Sequence, residues 1–403
     1  MSLLIIEEPK IPAGRAMRYM NHPLLQLGFR PFYLLAAGFS SIAVPYWIAK
    51  YFGWLPAWPT VGLSWHMHEM VFGMVLAVII GFLYTAARNW TGLWTPRNAH
   101  LAALAGIWIA GRVAMLFAPA LLAALTDLIF LPLATWPLYR VLKKSGNKRN
   151  LFLVALLGML MLANIAFHAS VLGWIKLSTI APIQAAILII TVIESVIGAR
   201  VIPMFTTNGA PGTTPIVNAK RDHIALGITV AACLAWMGNL PAQLIAAMAF
   251  AAACAILVRV SGWKLLRTTH VPLLWILHLS YGWIAIGFFL LALAALNIVP
   301  ASAAFHALTV GAMAGLILGM ITRTTLGHTG RKLATGKTEF VMYLLIQLGA
   351  IARVLAALGT IGTIGMRDAL LIVAALCWSI AFLGYVIKYG PYLVKSRIDG
   401  REG

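Results

Sequence analysis

The segment SWHMHEMVFGMVLAVIIGFLYTAARNWTG, residues 64–92, decides the fold class of this chain. It begins with His66, His68 and Glu69, continues through a long apolar run and ends shortly after Arg88. At about 1.5 Å of rise per residue, a helix of this length crosses a lipid bilayer. Ionisable side chains at the end of a membrane helix are costly and usually functional. The segment therefore predicts a membrane-spanning helix that carries chemistry in its first turn.

The composition extends this prediction to the whole chain. Of the 403 residues, 62% are hydrophobic and only 10% are charged. A soluble domain does not contain so large an apolar fraction, so lipid must surround most of the protein. The apolar runs are continuous and not alternating, which excludes a membrane β-barrel. The three cysteines all lie inside apolar runs, which indicates neither a disulfide framework nor a CxxC metal motif.

The distribution of apolar runs predicts an all-α fold, a polytopic transmembrane helical bundle of about twelve helices. We predict a single integral membrane domain, 1–403, made of an N-terminal segment 1–31, a bundle 32–389 and a tail 390–403. The predicted helices are 32–52, 66–87, 99–118, 120–142, 151–173, 178–200, 223–238, 241–259, 271–296, 302–322, 340–358 and 368–389.

The basic residues predict the orientation of the bundle. Most of the 30 lysines and arginines fall in the two tails and in every second connection, whereas the other connections hold only Lys176 and Arg367. Basic connections stay in the cytoplasm, so both termini are predicted to be cytoplasmic. The same pattern explains the net charge of +20 without a nucleic-acid partner.

Charged residues inside the predicted helices need partners. Arg112 and Asp127 lie at matching depth on neighbouring antiparallel helices, and so do Arg353 and Asp368. We predict two structural ion pairs, since pairing is how a charge is accommodated in a membrane. Glu194 and His278 lie deeper, at similar depths. The sequence leaves open whether they form a hydrogen bond with each other.

Four histidines fall in one layer beneath the predicted periplasmic surface. They come from the second, fifth and tenth helices: His66, His68, His168 and His306. Met70 lies one turn below His66, and Met313 shares a helix face with His306. Imidazole with thioether suits copper, and imidazoles on facing helices suit haem iron. The layer is therefore a candidate metal site.

Simpler interpretations stand beside this one. A single membrane histidine usually forms a packing hydrogen bond, and methionine stripes usually fill a core. Residues two apart on a helix point about 200° apart, so His66 and His68 share a metal only if the first turn is distorted. Glu69 is either a ligand or an acceptor that orients an imidazole.

Several blocks of this sequence resemble the NnrS family of bacterial membrane proteins. They are LGFRPFYLLAA at 27–37, WHMHEMVFG at 65–73, GFLYTAARNWTG at 81–92, AGR at 110–112, the N-x-x-x-H of Asn164 and His168, and HALTVGAMAGLILGMITRTTLGHTGR at 306–331. The resemblance covers nearly the full length. It implies a multi-pass protein of the bacterial inner (cytoplasmic) membrane that contains haem and copper and is linked to nitric oxide, denitrification and nitrosative stress.

The resemblance also implies particular cofactors and partners. The haem would be haem b, because the chain has no C-x-x-C-H attachment motif. The partners would be membrane lipid and nitric oxide or a related small molecule. Neither a homo-oligomer nor an electron donor is specified. Whether the protein catalyses turnover, transfers electrons, senses or stores metal is left open.

Two other functions are alternatives. Twelve helices with both termini inside are a common plan for a secondary transporter without a redox cofactor. Transporters, however, carry their polar sites near the bilayer midplane in both halves of the chain. A haem–copper oxidase or nitric oxide reductase subunit would have an adjacent histidine pair or an H-P-E segment in an apolar run, and this sequence has neither.

Overall fold

The computed structural model describes residues 22–56, 60–359 and 364–401. These residues form twelve long helices and no strand. They are α1 Phe29–Tyr51, α2 Leu63–Thr91, α3 Asn98–Phe117, α4 Ala120–Lys144, α5 Leu151–Val171, α6 Ile180–Gly209, α7 Ala219–Met237, α8 Ala242–Ser261, α9 Pro272–Ala295, α10 Ala301–His328, α11 Lys337–Leu358 and α12 Ile364–Leu393.

Eleven of the helices in the described residues are long and apolar enough to cross a membrane. The remaining helix is α7, whose first turn contains Lys220, Arg221 and Asp222. A helical membrane bundle is thereby confirmed. Helices α6 and α10 extend beyond their predicted ends, to Gly209 and His328. Most of the predicted N-terminal segment 1–31 lies outside the described residues, as do the last two residues of the tail.

The two ends of the bundle are named here by their connections. The basic end contains the connections 92–97, 145–147, 210–218, 262–271 and 329–336, and the opposite end is called the His66 end. Helices α2 and α10 are central, because 78% of the apolar stretch of each is buried inside the protein, compared with 33% for α3. The first turns of these two central helices lie at the His66 end.

Both central helices contain a π-helical turn near the His66 end. In α2 the turn is Glu69–Val75, directly after His68, and in α10 it is Ala307–Met313, directly after His306. A π-helical turn inserts an extra residue, which rotates the side chains before it relative to those after it. It also disturbs the backbone hydrogen bonds, and in α2 the indole Nε1 of Trp108 donates to the Gly73 carbonyl at 3.0 Å.

Candidate metal centre

Six polar side chains from four helices meet inside the bundle near the His66 end. We call them the polar cluster: His68 and Glu69 from α2, Arg112 from α3, Asp127 from α4, and Asn164 and His168 from α5. None is more than 6% exposed. So many polar groups are buried together only when each has a partner, and the contacts below supply them.

His68 lies between two acidic side chains. Its Nδ1 is 3.0 Å from Glu69 Oε1. Its Nε2 is 3.0 Å from Asn164 Oδ1 and 3.2 Å from Asp127 Oδ2. The ring also packs against Phe167, with centroids 4.7 Å apart. Both nitrogens of this imidazole therefore face oxygen atoms.

Asp127 connects the other members of the cluster. Its Oδ1 accepts from Arg112 Nη2, and its Oδ2 accepts from Asn164 Nδ2 at 2.7 Å. The same Oδ2 lies 3.2 Å from His168 Nε2 and 3.2 Å from His68 Nε2. One carboxylate oxygen thus joins two imidazoles and an amide.

Arg112 balances the two acidic residues. Its Nη1 donates to Glu69 Oε1 and Oε2, each at 3.1 Å, while its Nη2 holds Asp127. Gly73 makes room for the guanidinium, because a Cβ atom at that position would lie 2.5 Å from Arg112 Nη1 and 3.2 Å from Glu69 Oε2. The glycine of the π-helical turn is therefore required by this close approach.

Hydrogen-bond chemistry leaves room for one more positive charge. The amide NH₂ of Asn164 donates a hydrogen bond to Asp127, so the amide oxygen of Asn164 faces His68 Nε2. A neutral imidazole has one donor and one acceptor nitrogen, yet both nitrogens of His68 face acceptors. Arg112 offsets one of the two carboxylates, which leaves a formal charge of −1. A proton or a metal cation near His68 Nε2 satisfies both requirements.

Three residues of the cluster are arranged as metal ligands. One ligand atom from each of His68, Asp127 and His168 lies within 4.8 Å of the others. Two imidazoles and a carboxylate suit copper, zinc or ferrous iron. Glu69 and Asn164 would orient the ligands from the next layer, as hydrogen-bonded neighbours of ligating histidines commonly do.

The two predicted ion pairs differ in outcome. Arg112 and Asp127 form an ion pair, although each also contacts other members of the cluster. No ion pair between Arg353 and Asp368 is found among the described residues, and this pairing stays a prediction. Matching depth does not determine which way a side chain points around the helix axis, and here Arg353 acts electrostatically on His66 and His306 instead.

The four predicted histidines separate into two groups. His68 and His168 lie in the polar cluster, with ring centroids 5.1 Å apart. His66 points elsewhere and stacks on Trp47 at 5.2 Å, within electrostatic range of His306. The expected divergence of side chains two residues apart explains why the two histidines of α2 have different surroundings.

The two methionines named with these histidines, and the nearby hydroxyl group of Thr309, lie in other environments. Met70 packs against a small apolar cluster that contains Trp65 and against the main core, in which Met313 is buried. Thr309 donates to the Phe305 carbonyl at 2.8 Å. The roles of Met70 and Met313 as metal ligands stay predictions.

A further acidic residue lies apart from the cluster. Glu194 of α6 lines an apolar cavity of about 100 Å³ between α2, α6 and α10. Its Oε2 is buried and has no hydrogen-bond partner among the described residues. The contact with His278 that the sequence left open is not formed, since His278 Nε2 lies 2.9 Å from Thr206 Oγ1.

Sequence reasoning missed the central position of Asp127. It assigned this residue to a structural pair with Arg112, whereas the same carboxylate also contacts His68 and His168. The available signal was depth, because Asp127 and His168 lie a similar number of residues from the same end of adjacent helices. The contact of Glu69 with Arg112 had the same signal, because the two residues lie six and five residues from the His66 ends of the neighbouring helices α2 and α3.

Comparison with known proteins identifies the family of this chain. A search of curated proteins finds no relative of this chain. The family model described as NnrS protein matches residues 23–397, which include every helix described above. The chain, with the polar cluster buried among its first five helices, therefore belongs to the NnrS family.

Proposed function

We propose that this protein is a haem- and copper-containing protein of the bacterial inner membrane that acts in nitric oxide metabolism or in protection from nitrosative stress. Its metal centres would lie near the His66 end, which the charge pattern predicts to be periplasmic. The observation that carries the proposal is the convergence of His68, Asp127 and His168. Family membership supports the link to nitric oxide.

The polar cluster fits a copper ion. Its ligand atoms come from three different helices, and Arg112, Glu69 and Asn164 hold those ligands by direct hydrogen bonds. A monovalent cation would bring the formal charge of the cluster from −1 to zero. The same donors accept zinc or ferrous iron, and the family resemblance favours copper. The predicted thioether ligands are not required for this assignment.

His66 and His306 would hold a haem through their imidazole nitrogens. His306 Nδ1 lies 2.6 Å from the Ser302 carbonyl, and donation to that oxygen leaves Nε2 with its lone pair. His66 Nδ1 is buried without a hydrogen-bond partner. Arg353 is close to both rings and has no acidic partner among the described residues, so it suits a haem propionate.

These residues would bind and orient the cofactors while the bundle excludes water. Haem iron and copper supply redox chemistry and affinity for nitric oxide when bound. Nitric oxide is small and dissolves in lipid, so it needs no dedicated pore to reach centres one or two helical turns below the surface. The cluster contributes fixed charges that keep the ligating imidazoles in place.

The test is a visible absorption spectrum and elemental analysis of protein purified from haem- and copper-replete cells. The native protein should show a Soret band without covalently attached haem, together with iron and copper. Alanine variants of His66 and His306 should lose haem, and alanine variants of His68 and His168 should lose copper. Each variant should still insert into the membrane.

Two histidines at the basic end serve as controls. His223→Ala and His328→Ala should retain both metals, because neither residue lies near the polar cluster or His66. Native protein with neither a Soret band nor iron contradicts the haem proposal. Full copper content in both the His68 and His168 variants contradicts the copper assignment, and zinc or additional iron in place of copper changes the metal but not the site.

The transporter alternative is not favoured. A transporter would concentrate ionisable groups near the midplane in corresponding positions of the two halves. Here the polar cluster lies at the His66 end and its residues come from α2 to α5, all in the first half of the chain.

A further inference from the structure

A second site lies at the opposite end of the bundle, at the basic end. A cleft of about 800 Å³ opens between the connection 92–97 and the last turns of α4. Five basic side chains line it: Arg97, His100, Arg140, Lys143 and Lys144. The described residues that line this cleft include no acidic side chain. Its charge therefore favours an anionic occupant.

Aromatic rings form the rest of the cleft. Trp94 lies beneath two guanidinium groups, with Arg88 Cζ 3.9 Å and Arg97 Cζ 4.2 Å from its ring centre. Trp136 and Tyr139 lie on the α4 side, with ring centroids 5.7 Å apart. Trp136 is 60% exposed on a membrane helix. Tryptophan and tyrosine prefer the level of the lipid headgroups, so the cleft opens at the membrane interface.

Hydrogen bonds that involve α2 fix the walls of the cleft relative to each other. Thr95 Oγ1 donates to the Tyr84 carbonyl at 3.1 Å, which ties the connection to α2. The Tyr84 hydroxyl donates to the Ala134 carbonyl at 2.6 Å, which ties α2 to α4. A fixed cleft lined by basic groups suits a phosphate.

We infer that this cleft binds the headgroup of an anionic phospholipid of the inner leaflet. The phosphate would contact Arg140, Lys143 and Lys144, and the acyl chains would extend past Trp136 into the bilayer. Basic pockets at the cytoplasmic ends of membrane helices recognise such headgroups. A soluble phosphate compound shares the charge, but it would gain nothing from the exposed indole at the lipid interface. The inference is independent of the haem and copper proposal.

The test uses delipidated full-length protein and native mass spectrometry. Cardiolipin and phosphatidylglycerol are the anionic probes, and phosphatidylcholine is the neutral probe. The triple variant Arg140→Gln, Lys143→Gln, Lys144→Gln should bind the anionic lipids at least roughly tenfold more weakly than the native protein. The reason is that each basic residue near the phosphate contributes to the binding free energy. Binding of phosphatidylcholine should not change.

A matched control removes the same charge from the same end. Lys220→Gln, Arg267→Gln, Lys332→Gln changes three exposed residues outside the cleft and should bind anionic lipid as the native protein does. Equal losses in both triple variants would show diffuse attraction and overturn the proposed site. Native-like binding by the cleft variant would also overturn it, as would displacement of the lipid by an equal concentration of inorganic phosphate.

The three substituted residues of the cleft are exposed, so the variant should fold. If its melting temperature falls, the single change Lys144→Gln replaces it, with an expected loss of roughly threefold. Quenching of tryptophan fluorescence by brominated phosphatidylglycerol gives a second measurement, which should be weaker in either cleft variant. Unchanged quenching would contradict the proposal.

Discussion

The polar cluster and the Glu194 cavity surround their buried acidic side chains with opposite kinds of neighbours, polar in the cluster and apolar in the cavity. Glu69 and Asp127 share Arg112 and accept several hydrogen bonds. Glu194 lies in an apolar cavity with an unpartnered oxygen. A buried carboxylate persists only with compensating charge, whereas an isolated carboxyl avoids the cost by staying protonated. The charge of a buried acidic residue is therefore determined by its neighbours and not by its depth in the membrane.

The strongest test of this difference removes the shared cation. Arg112→Met leaves two carboxylates without their compensating charge, so it should destabilise the protein by about 3–5 kcal/mol. The measurement is thermal unfolding in detergent, compared with the native protein. Combining Arg112→Met with Asp127→Asn should recover part of the loss. If the two single effects simply add, the residues are not energetically coupled.

A second test changes the charge of one acidic member of the cluster. Glu69→Gln keeps the shape of the side chain but weakens the contacts with Arg112 and His68, which are 3.1 and 3.0 Å long. Hydrogen bonds to charged groups contribute about 1.5–3 kcal/mol, and the variant should lose an amount in this range. If the variant unfolds at the same temperature as the native protein, the carboxylate charge at position 69 is not needed for stability.

A third test disturbs the cluster without changing a charge. Gly73→Ala places a methyl group 2.5 Å from Arg112 Nη1, so the guanidinium must move away from Glu69. We expect a loss of about 1–3 kcal/mol, as for overpacking elsewhere. Gly106→Ala is the matched control, because its Cβ would meet no atom within 4 Å. It should be neutral or stabilising by up to about 1 kcal/mol, owing to helix propensity. Equal effects of the two changes would rule out the close approach.

The smallest effect is expected in the cavity. For a protonated carboxyl, Glu194→Gln exchanges one neutral group for another of similar size, so the unfolding free energy should change by less than about 1 kcal/mol. Glu69→Gln, measured in parallel, is the matched comparison. If Glu194→Gln costs as much as Glu69→Gln, Glu194 is charged and has a partner, and the contrast between the two sites fails.

The sequence predicted much of this arrangement. The helix positions follow from continuous apolar runs, and most predicted boundaries lie within a few residues of those found. The pairing of Arg112 with Asp127 follows from depth, which a fixed rise per residue makes countable. The divergence of His66 and His68 follows from helical geometry. The pairing of Arg353 with Asp368, predicted in the same way, stays a prediction, because depth carries no information about direction around the helix axis.

The sequence alone therefore determined that this is a helical membrane protein and which polar residues lie at which depth, because lipid requires apolar runs and helices have a constant rise. Only the tertiary structure decided which of these residues meet. The π-helical turn after His68, the fit of Arg112 against Gly73, and the contacts of Asp127 with two histidines all depend on how helices rotate against one another. That rotation is set by packing between segments far apart in the chain, which no local pattern encodes.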